Sequence, residues 1–136
     1  MSSEVIVDTS ALIAFFVQSE QHHQAMKSYF LQHPDNRWVI LSTVFVETVT
    51  WIRSKVSIYH SIQIGHLLRT EHRYVALSEA DDLAVWQAFC QYDDKAWSYT
   101  DCSILAMASR LNIFEVIAFD EHIRQMAGLR IICLPH

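Results

Sequence analysis

Short apolar runs alternate with longer stretches of helical periodicity along the chain. The apolar runs predict five strands, at 5–7, 38–41, 74–77, 115–119 and 129–134. The stretches between them predict seven helices, at 10–17, 21–32, 42–55, 58–70, 78–92, 100–111 and 120–127. The strands are continuously apolar, which indicates burial on both faces. Strand–helix alternation therefore predicts an α/β fold, a single-domain three-layer sandwich over residues 1–136 with a mainly parallel central sheet.

Polar residues at the helix starts supply the predicted N-caps. Ser42 or Thr43 is placed to cap the third helix, and Thr100 to cap the sixth. Ser78 opens an S-x-x-D pattern that is typical of the start of a capped helix.

Composition narrows the class of protein. With 51% hydrophobic residues in 136, the chain can build a substantial core. No apolar run approaches the roughly 18 residues that a membrane span needs, and Glu4 and Asp8 argue against a signal peptide. Only 2 glycines are present, which excludes Gly-rich phosphate loops and dinucleotide fingerprints. The 3 cysteines are odd in number and form no CxxC, so a cytoplasmic protein without a zinc or disulfide framework is predicted.

Two acids stand where predicted strands end, Asp8 after the first strand and Asp120 after the fourth. Each precedes a helix, so each taken alone is explained as an N-cap. Asp101 follows Thr100 in a helix first turn, where the helix dipole favours negative charge. All three therefore have a sufficient structural explanation when considered one at a time.

Glu47 lies inside the apolar segment STVFVETVTWI, in the second turn of the third predicted helix. It either occupies a solvent-facing stripe beside Thr43 and Thr50 or is balanced by a cation, because an unpaired buried carboxylate costs several kcal/mol. Considered together, the four acids favour the second explanation, in which a cation balances their charge. If the first and fourth strands are adjacent in a parallel sheet, three of the acids converge at one edge, where such sheets bind ligands. Clustered carboxylates suit Mg²⁺ or Mn²⁺ and metal-dependent phosphodiester chemistry.

Four segments that carry these acids, VIVDTSALIAFF, STVFVETVTWI, SYTDCSILAMASRLN and VIAFDEHI, resemble the acidic motifs of the PIN-domain family. More narrowly, they resemble those of the VapC-like ribonuclease toxins of toxin–antitoxin pairs. The resemblance implies a PIN-like fold and a Mg²⁺-dependent endoribonuclease in which Mn²⁺ can substitute. It also implies an RNA substrate, a cognate antitoxin and a homodimer.

By the same resemblance, Asp8, Glu47, Asp101 and Asp120 are the expected catalytic and metal-binding residues. Asp8 and Asp101 would be the most direct ligands. Glu47 would hold a second ion or orient the attacking water, and Asp120 would bind the ion directly or through water. Thr9 or Ser10 would bond a ligand oxygen, or else serve the local turn.

Further polar residues remain without an assigned role. Asp93 and Asp94 are interpreted as part of a solvated loop, and His122 is the one histidine placed to approach the acids. Six basic residues are candidates for contacting RNA phosphate: Arg53, Lys55, Arg69, Arg73, Arg110 and Arg124.

Two other functions compete with the nuclease. A catalytically inactive PIN-like protein-binding module is compatible with the net charge of −5, which gives no electrostatic footprint for nucleic acid. An acid-based phosphatase of another α/β family is weaker, because Ser10 stands where such enzymes usually carry a second aspartate.

Overall fold

The computed structural model describes residues 3–136, in which short strands alternate with helices. The strands are β1 (Ser3–Val7), β2 (Asn36–Leu41), β3 (Arg73–Val75), β4 (Glu115–Ile117) and β5 (Ile132–Leu134). The α-helices are α1 (Thr9–Phe16), α2 (His23–Gln32), α3 (Ser42–Lys55), α4 (Ile58–Thr70), α5 (Glu79–Gln91), α6 (Tyr99–Leu111) and α7 (Glu121–Arg124). A 3₁₀ turn at Ala127–Leu129 leads into the last strand.

The five strands form one sheet in the order β3-β2-β1-β4-β5, and every pairing is parallel. Successive residues of a strand point to opposite faces of the sheet. Val5, Ile6 and Val7 of β1 are nevertheless all buried, so helices cover both faces. The predicted α/β class, with its layered architecture and parallel sheet, is confirmed.

Several element boundaries differ from those predicted. The helix predicted at 120–127 is the short helix α7 followed by the 3₁₀ turn, and the strand predicted at 129–134 begins only at Ile132. The strand predicted at 115–119 ends at Ile117, because the amide of Phe119 bonds to the hydroxyl of Ser10 and not to a neighbouring strand. Apolar side chains therefore continue past the point where the sheet ladder stops.

Two predicted N-caps are wrong. The cap of α6 is Ser98 and not Thr100, since the Ser98 hydroxyl accepts the amide of Asp101 at 3.0 Å. The cap residue of α3 is Leu41, which makes no side-chain cap, and neither Ser42 nor Thr43 performs that role. The Ser42 hydroxyl instead accepts the amide of Leu77 at 3.0 Å, which ties α3 to the chain after β3. The cap predicted at Ser78 is present.

The sheet order sets β1 beside β4, so the carboxyl ends of these two strands meet at one edge. The amide of Asp8 donates to the carbonyl of Ile117 at 2.9 Å and extends this pairing by one bond. Helices α3 and α6 dock through the hydroxyls of Thr43 and Ser103, which lie 2.7 Å apart. Within residues 3–136, no helix has the length and apolar character that crossing a membrane requires.

Candidate active site

Asp8 lies at the carboxyl end of β1 and caps α1. Its Oδ2 accepts the Ser10 hydroxyl at 2.7 Å and, more weakly, the Ser10 amide at 3.4 Å. The same hydroxyl accepts the amide of Phe119 at 3.0 Å, so Ser10 connects the end of β1 with the segment after β4. Only 3% of Asp8 is exposed. Burial, together with the charges of Asp101 and Asp120, raises the pKa of Asp8 from 3.8 to about 7.

Asp101 is the third residue of α6 and forms a capping box with Ser98. Its Oδ2 accepts the Ser98 amide at 2.9 Å, while its own amide donates to the Ser98 hydroxyl. The residue is 4% exposed, so the carboxylate is withdrawn from water as far as that of Asp8. The capping box fixes its side chain in one orientation before any ligand binds.

Asp120 caps α7, and its Oδ1 accepts the amide of His122 at 2.9 Å. This short turn directs the imidazole of His122 toward α6, where Nδ1 lies 2.9 Å from Oδ2 of Asp101. The same nitrogen lies 3.9 Å from Oδ1 of Asp120. One ligand atom from each of Asp101, Asp120 and His122 falls within 4.8 Å of the others.

The structure thus brings three of the four predicted acids together and leaves Glu47 apart. Among the described residues, the charges that raise the pKa of Asp8 come from Asp101 and Asp120, and Glu47 is not one of them. Glu47 is exposed in the second turn of α3, one turn beyond the residue that docks α3 on α6. Its carboxylate therefore faces solvent in this structure.

His122 is the contact that sequence reasoning underestimated. The sequence places it near the acids without giving it a role, yet in the structure its Nδ1 lies 2.9 Å from Oδ2 of Asp101. The sequence does contain the relevant feature: His122 is the second residue after Asp120, an aspartate that caps a helix, and the first turn then points back toward the cap.

The two predicted accessory residues differ in their surroundings. The Ser10 hydroxyl is fully used between Asp8 and Phe119. The Thr9 hydroxyl is buried, and among residues 3–136 it has no hydrogen-bond partner. A buried polar atom without a partner costs about 1–3 kcal/mol, so this hydroxyl beside Asp8 is suited to a ligand or an ordered water.

A divalent cation fits this donor set. Carboxylate oxygens are the preferred ligands of hard cations, and a positive charge between Asp8, Asp101 and Asp120 would offset their mutual repulsion. The hydrogen bonds that already fix the three side chains lower the entropy lost when a cation binds.

The remaining polar candidates lie elsewhere. Asp93 and Asp94 are exposed in a turn, as expected of a solvated loop. Four of the six candidate basic residues have partners inside the chain: Arg73 with Glu4, Arg110 with Asp81, Arg124 with Glu121, and Arg69 over Phe45 and Tyr74. Arg53 and Lys55, at the end of α3, are exposed.

Comparison with known proteins gives a family and a set of similar folds. A sequence model of the PIN domain matches residues 5–129. The structure of VapC20 from Mycobacterium tuberculosis, described as a sarcin–ricin loop cleaving toxin, superposes with a TM-score of 0.82 at 18% identity, covering 94% of this chain and 96% of that one. No curated protein sequence matches the chain.

Two further solved structures are similar over most of their length. A toxin–antitoxin complex from Klebsiella pneumoniae has a TM-score of 0.68 at 18% identity, covering 94% of this chain and 95% of that one. DNA-bound VapBC from Salmonella typhimurium also has a TM-score of 0.68, at 13% identity, with 98% of both chains covered. At these identities the likeness establishes the fold.

Proposed function

The chain belongs to the PIN domain family, and from this premise we propose that it is a divalent-metal-dependent endoribonuclease, the toxin of a toxin–antitoxin pair. Mg²⁺ is the proposed ion, with Mn²⁺ able to replace it. The single observation that carries the proposal is the convergence of Asp8, Asp101 and Asp120 at one sheet edge, two of them buried.

Such a cluster is unfavourable without a counter-charge. Burial raises the pKa of Asp8, and the charges of Asp101 and Asp120 raise it further. A raised pKa of this kind, beside other acids at a sheet edge, is typical of a functional site. When bound, a divalent cation supplies the Lewis acidity that activates water and stabilises the leaving oxygen in phosphodiester hydrolysis.

The chain's own residues have distinct proposed roles. Asp8 and Asp101 hold the cation, each with one oxygen fixed by a local hydrogen bond and the other oxygen left for the ion. Asp120 binds it directly or through water. Ser10 keeps the Asp8 carboxylate in place, and Thr9 offers its hydroxyl to a ligand oxygen. Glu47, exposed on α3, would turn toward the site when a second ion or a positioned water requires it.

RNA is the proposed substrate. Support comes from family membership and from VapC20, a toxin described as cleaving the sarcin–ricin loop. The net charge of −5 opposes the approach of a polyanion, so cations bound at the acids and the exposed pair Arg53 and Lys55 would have to offset it. Binding of RNA should therefore depend on the divalent ion.

Protein partners are proposed on a separate observation. The outer faces of α4 and α5 expose large apolar side chains: Ile58, Tyr59, Ile62, Leu83, Trp86 and Phe89. Exposed apolar faces on two helices are typical of protein interfaces. The similar structures that contain toxin–antitoxin complexes support an antitoxin as one partner, and a second copy of this chain is the other proposed partner. We propose the cytoplasm as its location, because three cysteines without a CxxC do not suit a disulfide framework.

Nuclease activity is tested with purified protein on a structured RNA in Mg²⁺ or Mn²⁺, with EDTA as the metal-free reference. Asp8→Asn and Asp101→Asn should each abolish cleavage while the protein remains folded by circular dichroism. Asp93→Asn is the matched control, because Asp93 is an exposed acid in a turn, and it should cleave like the wild type.

Full cleavage by either site variant at unchanged metal concentration would end the assignment. The competing function, an inactive protein-binding module, makes a different prediction. It should show neither metal-dependent cleavage nor a rise in melting temperature when Mg²⁺ or Mn²⁺ is added.

A further inference from the structure

His122 belongs to the acidic site by geometry. Its Nδ1 lies 2.9 Å from Oδ2 of Asp101 and 3.9 Å from Oδ1 of Asp120. These three residues are the group whose ligand atoms lie within 4.8 Å of one another, and Asp8 is not a member of it. The donor atoms nearest to a common point are therefore two carboxylate oxygens and one imidazole nitrogen.

Hydrogen bonds to backbone amides set the position of the imidazole and of the carboxylate that it faces. Asp120 holds the amide of His122 at 2.9 Å and so fixes the first turn of α7. Asp101 is held by the amide of Ser98, also at 2.9 Å, at the start of α6. Because each contact ties a carboxylate to an amide at the start of a helix, His122 and Asp101 face each other before any ion arrives.

We propose that His122 supplies a nitrogen ligand to the same divalent cation, on the side where Asp101 and Asp120 approach it, and that the site therefore binds Mn²⁺ more tightly than Mg²⁺. The inference rests on the proposed metal-dependent function and specifies its ion. Mg²⁺ takes oxygen ligands and keeps several of its waters, whereas imidazole nitrogen suits first-row transition ions.

The hydrogen-bond arrangement of the ring changes when the ion binds. Facing a carboxylate oxygen, Nδ1 bonds to Asp101 as the donor in the tautomer that carries its hydrogen on Nδ1. Coordination through Nδ1 leaves the hydrogen on Nε2. Since the His122 side chain is 35% exposed, water is available to accept or return that proton during the exchange.

The variant His122→Asn distinguishes two roles of His122, as a ligand of the metal ion or as a residue that only positions Asp101. Asparagine keeps a side-chain N–H close to the place of Nδ1, so it can still donate to Asp101, but it offers no imidazole nitrogen. His66→Asn, an exposed histidine on α4, is the matched control. Circular dichroism and melting temperature establish that both variants are folded.

Two measurements that do not depend on activity test the proposal. Calorimetric titration with Mn²⁺ and with Mg²⁺ should show an Mn²⁺ affinity at least about tenfold lower in His122→Asn, with the Mg²⁺ affinity nearly unchanged. Electron spin-echo spectroscopy of Mn²⁺-loaded wild type and His66→Asn should show modulation from a coordinated ¹⁴N nucleus, and this modulation should be lost in His122→Asn.

The outcomes distinguish this inference from the proposed function. If the wild type binds Mn²⁺ and cleaves RNA but shows no ¹⁴N modulation, or if His122→Asn binds both ions as the wild type does, the nitrogen ligand is overturned while the nuclease stands. An equal loss for both ions would make His122 a positioning residue for Asp101, and the nitrogen ligand would again be overturned. If the wild type binds neither ion and cleaves no RNA, both proposals fail.

Discussion

Helices α5 and α6 begin in the same way. Each opens with a serine followed three residues later by an aspartate, and each pair forms a complete capping box. The serine amide donates to the aspartate Oδ2 at 2.9 Å in both helices. The aspartate amide donates to the serine hydroxyl at 3.1 Å in α5 and 3.0 Å in α6. Asp81 and Asp101 are also equally buried, each 4% exposed.

The two boxes differ in what surrounds the carboxylate. Asp81 is paired with Arg110, whose guanidinium donates to both of its oxygens. The Ser78 amide, with Arg110 contributing, holds the pKa of Asp81 below its usual value. Asp101 instead faces His122 and two further acids, Asp8 and Asp120. The local motif therefore only fixes the carboxylate in place. Whether the carboxylate serves stability or is left for a ligand depends on the counter-charge.

The largest expected difference between the two regions is their response to pH. The pKa of Asp8 is raised from 3.8 to about 7. Between these two pH values, the folded state keeps a proton on Asp8 that the unfolded state releases. The contribution of Asp8 to stability therefore falls as pH rises from about 4 and levels off above about 7. The test compares the unfolding free energies of Asp8→Asn and the wild type in EDTA. The value for Asp8→Asn minus the value for the wild type should increase by up to about 4 kcal/mol from pH 4 to pH 8, because one pKa unit is about 1.4 kcal/mol.

The Asp81 box should behave in the opposite way. Because the pKa of Asp81 is lowered, its contribution is present above about pH 4 and is lost only as pH falls below the unfolded value of 3.8. The difference between Asp81→Asn and wild type should stay flat from pH 4.5 to pH 8 in urea titrations. An Asp8→Asn difference that is equally flat would mean that the acidic cluster carries no charge penalty.

Metal should stabilise only the α6 region. A ligand present at 100 times its dissociation constant adds about 2.7 kcal/mol to the unfolding free energy. We expect wild type and Asp81→Asn to gain this amount on addition of Mn²⁺ or Mg²⁺, and Asp101→Asn to gain nothing measurable. The readout is urea unfolding at pH 8 with and without the ion. A similar gain in Asp101→Asn would show that the ion binds outside the acidic cluster.

Sequence reasoning predicted one box and missed the other. Ser78-x-x-Asp81 was identified because a helical apolar pattern follows at once. Ser98-x-x-Asp101 has the same spacing, but Thr100 stands closer to the apolar run, and the prediction placed the cap there. The spacing could have decided between them, because Asp101 is three residues after Ser98 and only one after Thr100.

The site could be anticipated only as far as topology dictates it. Parallel strands bring their carboxyl ends to one edge, so Asp8 and Asp120 could be expected to meet once β1 and β4 were taken as neighbours. The rotation of Glu47 on α3 could not be predicted, because the apolar residues of that helix nearly surround it in projection. Nor could the ring orientation of His122, which depends on the turn that Asp120 sets.

Truncating each aspartate should give unequal losses of stability. Asp81→Ala removes a cap acceptor worth about 1 kcal/mol and a pair with a half-exposed arginine worth up to about 1 kcal/mol, so a loss of about 2 kcal/mol is expected. Asp101→Ala removes a similar cap and the contact with His122, but also a charge that repels Asp8. In EDTA at pH 8 its loss should therefore be smaller by about 1 kcal/mol. Equal losses in urea unfolding would indicate that Asp101 and Asp8 do not repel each other appreciably.

The smallest expected effect concerns the two serines, because their hydroxyls touch neither the arginine nor the other acids. Ser78→Ala and Ser98→Ala each remove one cap acceptor, at about 1 kcal/mol of unfolding free energy, and in EDTA the two losses should be equal within the error of urea titrations. Their effects on metal affinity should differ, because the Ser98 hydroxyl holds the amide of Asp101, a proposed metal ligand. The Ser78 hydroxyl holds the amide of Asp81, whose carboxylate is paired with Arg110. Calorimetric titration should show a several-fold weaker Mn²⁺ affinity for Ser98→Ala and none of this weakening for Ser78→Ala. Unchanged Mn²⁺ affinity in Ser98→Ala would mean that the packing around α6 positions Asp101 without help from the Ser98 hydroxyl. The capping boxes of both helices would then contribute to stability and not to metal binding.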